Sequence, residues 1–201
     1  VAAARVAGVL GEAGHPVALG ESIARVAGRR PGVAVLVSSH VSDPLEHQRW
    51  LRRDIAHLPI VFGEVAVTIG PLVVPGVTAC LTCVEGQRSA IDPAWSSVAP
   101  QLWGRSAATE TVALATEAAV EAIRMLRGLD GVAPDGRAVR LDVDSGERTE
   151  RRWQPSEQCG CRGLSPKSAP APRRESDSEP ALPEPTFGAA PTTARALAAR
   201  V

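Results

Sequence analysis

The 201-residue chain contains no tyrosine, and its aromatic residues make up only 3% of the sequence. A core without many bulky rings must be built from valine, leucine, isoleucine and alanine. Lysine is almost as scarce, because Lys167 is the only one. Any mechanism that requires a lysine in the first 162 residues is therefore excluded.

Net charge is also absent, since 22 basic residues balance 22 acidic residues. Without a long-range field, neither nucleic acid nor an anionic membrane is an expected partner. No apolar run approaches the roughly 20 residues that a membrane helix needs. The opening VAAARVAGVLGEAGHP lacks the features of a signal peptide. These absences predict a soluble, cytoplasmic protein, and the initial valine indicates either an alternative start codon or a piece of a longer chain.

The composition changes near the end of the chain, where proline, serine and glutamate dominate and apolar periodicity stops. Such a segment cannot bury enough apolar surface to offset the entropy lost on ordering. We therefore predict a disordered tail over residues 163–201, with a short helix in the last ten residues. Residues 1–162 are predicted to form the folded domain.

Within the folded domain, apolar runs alternate with helical patterns. GVAVLVS (32–38) is unbroken and rich in valine, which is typical of a strand buried on both faces. Asp43 and Pro44 are the predicted cap and first residue of a helix that ends near residue 55. Alternation on both sides of Asp-Ser-Gly (144–146) predicts a β-hairpin over residues 137–155.

The other predicted elements are helices at 2–14, 21–28 and 108–128 and strands at 16–19, 58–63 and 64–70. The last two strands are joined by a tight Gly-Glu turn, which predicts antiparallel pairing. Together these elements predict an α/β fold: a partial Rossmann-like domain with a mainly parallel sheet and a C-terminal β-hairpin arm.

All four cysteines fall into two close pairs, Cys80 with Cys83 and Cys159 with Cys161. Each pair aims two sulfurs at one point, and two such pairs supply the four soft ligands that suit tetrahedral zinc. A reducing cytosol favours metal over a disulfide. Four cysteine ligands leave no open position, so the predicted zinc is structural and joins the hairpin arm to the loop after strand 64–70. A redox pair or free thiols are the alternative.

Two segments carry a resemblance to a known family. IGPLVVPGVTACLTCVEGQRSAIDPAW (69–95) resembles the stretch around the first zinc pair in the ThiF/MoeB/E1-like superfamily. RRWQP followed by CGC (151–161) resembles the segment that closes the zinc site there. The similarity covers about residues 32–162 and is closest to the E1-like partner proteins of YcaO cyclodehydratases, which help make azoline-containing peptides. It implies a YcaO-type protein and a precursor peptide as partners, and E1-like folds commonly form homodimers.

Adenylating members of this superfamily use a glycine-rich loop after the first strand, an acid on the ribose, an arginine and a lysine on the phosphates, and an aspartate for magnesium. Gly8, Gly11 and Gly14 do not have the GxGxxG spacing. Glu21 is interpreted as a solvated residue at a helix start. Ser-Ser-His (38–40) stands where the magnesium aspartate is expected. With no lysine in the folded domain, we predict no ATP binding and no catalytic residue in this chain alone.

Four histidines, His15, His40, His47 and His57, share no ligand spacing and are predicted to be surface or capping residues. His40 and His47 flank a helix start and could approach each other.

Three tryptophans, Trp50, Trp95 and Trp103, are predicted to be core or interface anchors. The arginine pairs at 29–30, 52–53 and 151–152 are predicted to be solvated, and the functional alternative is pairing with acidic side chains of a peptide or partner.

The favoured function is that of a non-adenylating, zinc-binding E1-like partner in bacteriocin or azole–azoline peptide biosynthesis, which supports a YcaO cyclodehydratase and recruits the precursor peptide. Two alternatives stay open. One is a ThiF-like adenylyltransferase completed by a missing N-terminus or a dimer mate, and the other is a zinc-stabilised interaction module.

Overall fold

The computed structural model describes residues 1–20, 31–127, 134–163 and 195–199. The helices in these ranges are α1 (Ala2–Glu12), α2 (Pro44–Arg52), α3 (Leu81–Ile91), α4 (Trp95–Leu102) and α5 (Val112–Arg127), with a short 3-10 turn at Gly160–Gly163. The strands are β1 (Val17–Gly20), β2 (Val33–Ser39), β3 (Ala56–Phe62), β4 (Ala66–Ile69), β5 (Arg137–Asp142), β6 (Arg148–Arg152) and β7 (Arg195–Ala199).

The strands form one sheet in the order β1-β7-β2-β3-β4-β5-β6. β2 and β3 are parallel, and the other five strand pairs in the described residues are antiparallel. The α/β class is confirmed, but the prediction of a mainly parallel sheet is wrong. A helical crossover, α2, joins β2 to β3, whereas short turns join β3 to β4 and β5 to β6, and short turns produce antiparallel neighbours.

β7 corrects the prediction for the end of the chain. Residues 195–199 form a strand between β1 and β2, antiparallel to both, and not the predicted short helix in a disordered tail. Alanine, leucine and arginine favour helix locally, but backbone hydrogen bonds to two neighbouring strands override that weak preference. The rest of the predicted tail, 164–194 and 200–201, lies outside the described residues.

Most of the other predicted elements are confirmed. α1, α5, β1, β3 and β4 begin and end within four residues of their predicted bounds. The antiparallel pairing of β3 with β4 is confirmed, as is the hairpin formed by β5 and β6. The helix predicted at 21–28 lies outside the described residues.

α2 shows how local sequence produces an element. The Asp43 carboxylate accepts hydrogen bonds from the Leu45 N–H at 2.8 Å and the Glu46 N–H at 3.4 Å. Pro44 occupies the first helical position, where its missing N–H costs nothing. The helix ends at Arg52 rather than near residue 55, and Asp54 then takes a positive φ of 55°. The cap is confirmed, and the helix returns the chain to the start of β3.

The sheet is covered on both faces, so β2 is buried on both sides as predicted. Its odd-numbered valines, Val33, Val35 and Val37, belong to the core cluster that includes α1 and α5. Ala34 and Leu36 belong to the second cluster, which includes residues of α2, α3 and the four-cysteine region. Among the described residues, no helix has the length and apolar character needed to cross a membrane.

The hairpin arm, β5 with β6, is attached to α5 by a buried carboxylate. Glu121 is only 1% exposed. Its carboxylate oxygens form salt bridges with guanidinium nitrogens of Arg148 at 2.8 Å, Arg124 at 3.0 Å and Arg137 at 3.4 Å. Arg137 and Arg148 come from the two strands of the arm. Because a buried charge is tolerated only when it is paired, these contacts fix the arm over α5.

We predict that Glu121→Gln lowers the free energy of unfolding by about 2 kcal/mol, below the full cost of breaking a buried pair because the arginines can rehydrate. The control is Glu117→Gln on the exposed side of the same helix, which should change it by less than about 0.5 kcal/mol. Chemical denaturation of the two variants measures the difference. Equal effects would show that Glu121 does not fix the arm.

Candidate metal centre

The four cysteines meet at one point. Cys80 precedes α3 and Cys83 lies in its first turn, while Cys159 and Cys161 lie at the 3-10 turn that follows the arm. The Sγ atoms are 3.6 Å apart for Cys80 and Cys159 and 3.5 Å apart for Cys83 and Cys161. All four Sγ atoms lie within 4.8 Å of one another. The predicted meeting of the two pairs is therefore confirmed.

The sulfur spacing fits a tetrahedral metal site. With metal–sulfur bonds of about 2.3 Å, the sulfurs of a tetrahedral zinc–thiolate site are about 3.8 Å apart. Within the first sequence pair, the Sγ atoms of Cys80 and Cys83 are 3.7 Å apart. A disulfide requires about 2.05 Å, so this is not the spacing of a bonded pair. The four clustered cysteines could bind a metal ion.

The surroundings of the cluster suit thiolate ligands. Cys80, Cys83 and Cys161 are buried and Cys159 is half-buried. The Ser156 N–H donates to the Cys83 Sγ at 3.3 Å, a hydrogen bond typical of the shell around a metal-bound sulfur. The Gln87 side-chain amide donates to the backbone oxygens of Cys83 at 3.2 Å and Gln154 at 2.8 Å. This amide ties α3 to the segment that carries the second pair.

Burial raises the pKa of the Cys80 thiol to about 11 and also raises the pKa of Cys161. At Cys83 burial opposes ionisation, but hydrogen bonds led by the Ser156 N–H outweigh it and lower the pKa. Four thiolates packed this closely repel one another. A bound cation supplies the opposite charge that makes such a set stable, and its binding would release protons.

Gly136 allows the end of the arm to approach the cluster. Its φ is +73°, a conformation that favours glycine, and its carbonyl accepts the Trp153 N–H at 2.9 Å. A Cβ at this position would lie 2.2 Å from the Trp153 carbonyl oxygen. Trp153 is buried in the same core cluster as Cys80, Cys83 and Cys161. The missing side chain thus permits the contact that positions Trp153 beside the cysteines.

The prediction that the histidines are surface or capping residues is wrong for His47 and His57. Both are buried, and the Nδ1 of His47 lies 2.8 Å from the Nε2 of His57. His57 Nδ1 lies 3.0 Å from the Ile55 carbonyl, so His57 donates there and accepts from His47. His47 therefore approaches His57, not His40. No local pattern indicates this contact, because it joins α2 to β3.

Burial lowers the pKa of His47 to about 3 and that of His57 to about 4. The unfolded chain therefore binds more protons than the folded chain below about pH 6.5. We therefore expect the contribution of these two neutral imidazoles to the free energy of unfolding to be complete above that pH and to fall as the pH drops toward 4.

His40 lies at the end of β2 and is also buried, contrary to the prediction of a surface residue. Its Nε2 is 3.2 Å from the Ser106 carbonyl and 3.3 Å from the Glu64 carboxylate. Its φ of 60° is uncommon for a residue with a side chain. Next to it, the Ser39 hydroxyl donates to the Glu110 carboxylate. His15, by contrast, is half-buried after α1.

The glycines near the start do not form a loop after a strand. Gly8 and Gly11 lie inside α1, and Gly14 follows the helix with a φ of +89°. Gly14 is thus a turn residue, whereas Gly8 and Gly11 are exposed with no atom within 4 Å of an added Cβ and are not packing glycines. Glu21 lies outside the described residues, so its interpretation stays a prediction.

The predicted tryptophan anchors and arginine pairs differ in how far they are exposed to solvent. Trp50 is a core residue at 1% exposure, as predicted, whereas Trp95 is half-buried and Trp103 is 46% exposed. Arg52 and Arg53 are exposed, and the pair at 29–30 lies outside the described residues.

The fold can be compared with solved structures. One heterocyclase, determined in complex with substrate and cofactor, matches with a TM-score of 0.57 and 15% identity over 80% of this chain and 23% of its own. The heterocyclase TruD matches with a TM-score of 0.56 and 22% identity over 80% of this chain and 25% of its own. The chain thus spans about a quarter of the length of these proteins. The likeness shows a shared fold. No protein-family model and no curated protein matches the chain.

We predict that Gly136→Ala lowers the free energy of unfolding by about 3 kcal/mol, because it adds a backbone clash to the cost of a positive φ. Gly146→Ala is the control, since Gly146 has a φ of +68° but no atom within 4 Å of the added Cβ. It should cost only about 1 kcal/mol. Chemical denaturation compares the two, and equal losses would contradict the steric role.

Proposed function

We propose that the chain is a zinc-binding E1-like partner protein in azole or azoline peptide biosynthesis. It supports a YcaO-type cyclodehydratase and helps recruit the precursor peptide. The observation that carries this proposal is the four-cysteine cluster, which closes the β5–β6 arm against α3 in a fold shared with two heterocyclase structures. The family resemblance of the segments around both cysteine pairs points to the same role.

In this proposal Cys80, Cys83, Cys159 and Cys161 hold zinc. Zinc supplies positive charge and a tetrahedral cross-link, and with four thiolates it has no position left for water or substrate. The chain's own residues do the remaining work: the Ser156 N–H stabilises the Cys83 sulfur, and Trp153 packs beside the cysteines. The site is structural, and it fixes the surface that the arm and α3 present to a partner.

The proposed role leaves carboxylate activation to the partner. The end of β2 carries Ser38, Ser39 and His40, and Ser39 and His40 contact Glu110 and Glu64. The amino-terminal glycines lie in or just after a helix, where they cannot wrap a nucleotide phosphate in a loop that follows a strand. These features support a chain that does not adenylate a peptide by itself.

We predict about one zinc ion per chain in purified protein, measured by inductively coupled plasma mass spectrometry. Cys83→Ser should reduce the zinc content at least tenfold and lower the unfolding temperature, because one ligand and a buried sulfur contact are lost. Ser97→Ala, an exposed change on α4, is the control and should retain the metal. Well-ordered protein without metal, or with iron in place of zinc, would contradict the zinc assignment.

The function itself is tested by reconstitution. The tagged chain should retain a YcaO-type cyclodehydratase on an affinity column, and omitting the chain should reduce cyclisation of a precursor peptide at least tenfold. The Cys83→Ser variant should retain less cyclodehydratase, while Ser97→Ala should behave like the wild type. The chain alone should not catalyse ATP–pyrophosphate exchange with the peptide. Sustained exchange would favour the adenylyltransferase alternative, and failure to associate would favour a general interaction module.

A further inference from the structure

An open cleft of about 350 Å³ lies between the sheet and the α3–α4 segment. His40 and Gly63, which follow β2 and β3, line one side, and Trp95 of α4 lines another. Arg140 on β5 and Arg151 on β6 complete it. No cysteine lines the cleft, so the metal ligands are not part of it.

The charges in the cleft favour an anion. Its lining contains three guanidinium groups, from Arg88, Arg140 and Arg151, and one carboxylate, Asp92. Glu85 lies 3.2 Å from Arg88, and Asp142 lies 3.3 Å from Arg140, so these two cations are partly offset.

Arg151 has no carboxylate within ion-pair distance among the residues that the structure describes. Its guanidinium carbon instead lies 4.3 Å from the centre of the Trp153 ring. A guanidinium stacked on a ring keeps its edge N–H groups available for a carboxylate.

The cleft is organised before any ligand enters. Arg88 lies 5.5 Å from the centre of the Trp95 ring and 5.9 Å from that of Trp153, between the two rings. Glu85 accepts the Trp95 indole N–H at 2.5 Å as well as pairing with Arg88. Because these contacts already fix the side chains, a ligand need not order them on binding.

The remaining lining residues favour a ligand with a carboxylate over a nucleotide. Val61, Ala66, Ile91 and Leu102 give the cleft apolar surface beside the arginines. Phosphate chains are held by several free backbone N–H groups. Gly63 is the one glycine in the lining, and its N–H already donates to the Ala66 carbonyl at 2.9 Å.

We propose that this cleft binds an acidic peptide segment, with a glutamate or aspartate carboxylate on Arg151 and a neighbouring apolar side chain against Ile91 and Leu102. The proposal deepens the proposed function, on which it rests for the presence of a peptide substrate. It assigns Arg151 as the anchor for that peptide.

The test uses the full chain and a fluorescein-labelled octapeptide of alternating glutamate and leucine, with binding followed by fluorescence anisotropy. Arg151→Ala should weaken binding at least tenfold, since a charge-assisted hydrogen bond is lost. Arg152→Ala is the matched control, because Arg152 follows on the same strand but pairs with Asp135 at 2.8 Å. It should change the affinity less than twofold. Thermal unfolding verifies that both variants are folded, and Arg140→Ala provides a second variant in the cleft.

Several results would overturn the proposal. One is an equal loss of affinity in the Arg151 and Arg152 variants, and another is undiminished binding by a peptide with glutamine in place of glutamate. Displacement of the peptide by inorganic phosphate at equal concentration would assign the cleft to phosphate instead. The assay contains no cyclodehydratase, so failed peptide binding with retained cyclodehydratase association would overturn the cleft and leave the proposed function standing.

Discussion

Four sulfurs from segments almost eighty residues apart meet within 4.8 Å, and their meeting joins the chain that follows the hairpin arm to the start of α3. On one face of the arm, the second cysteine pair and Trp153 join α3 and the second core cluster. On the other face, Arg137 and Arg148 reach the buried Glu121 of α5. The arm is therefore held from both sides, and a bound metal ion would supply the positive charge that offsets the repulsion between four neighbouring thiolates.

A rigid arm has consequences beyond stability, because β6 supplies one wall of the arginine-lined cleft. Arg151 stacks on Trp153, and Trp153 in turn packs in the core cluster that contains the cysteines. The proposed zinc site would thus affect the cleft indirectly, because it holds the Trp153 ring against which Arg151, the proposed peptide anchor, is stacked. In these proposals the thiolates hold the arm, and the exposed residues Arg140 and Arg151 are available to a ligand.

Local sequence patterns predicted an element correctly where the interactions that form it lie within one segment of the chain. The Asp43 cap, the fully buried β2, the long α5 and the β5–β6 hairpin follow from capping, apolar runs and turn chemistry. The same reasoning was wrong for residues 195–199, whose helix-favouring composition is overridden by pairing with β1 and β2. It was also wrong for His47 and His57, because a buried imidazole pair depends on packing between α2 and β3.

The sequence by itself determined the chemistry that is available: two close cysteine pairs, one lysine outside the predicted folded domain, and no excess of charge. These are properties of residue types and short spacings, which the chain carries before it folds. Tertiary structure alone decided the mixed strand directions, the histidine pair and the cleft formed by His40, Arg88 and Arg151. Each of these depends on contacts between distant segments, and no local pattern specifies which distant segments will pack together.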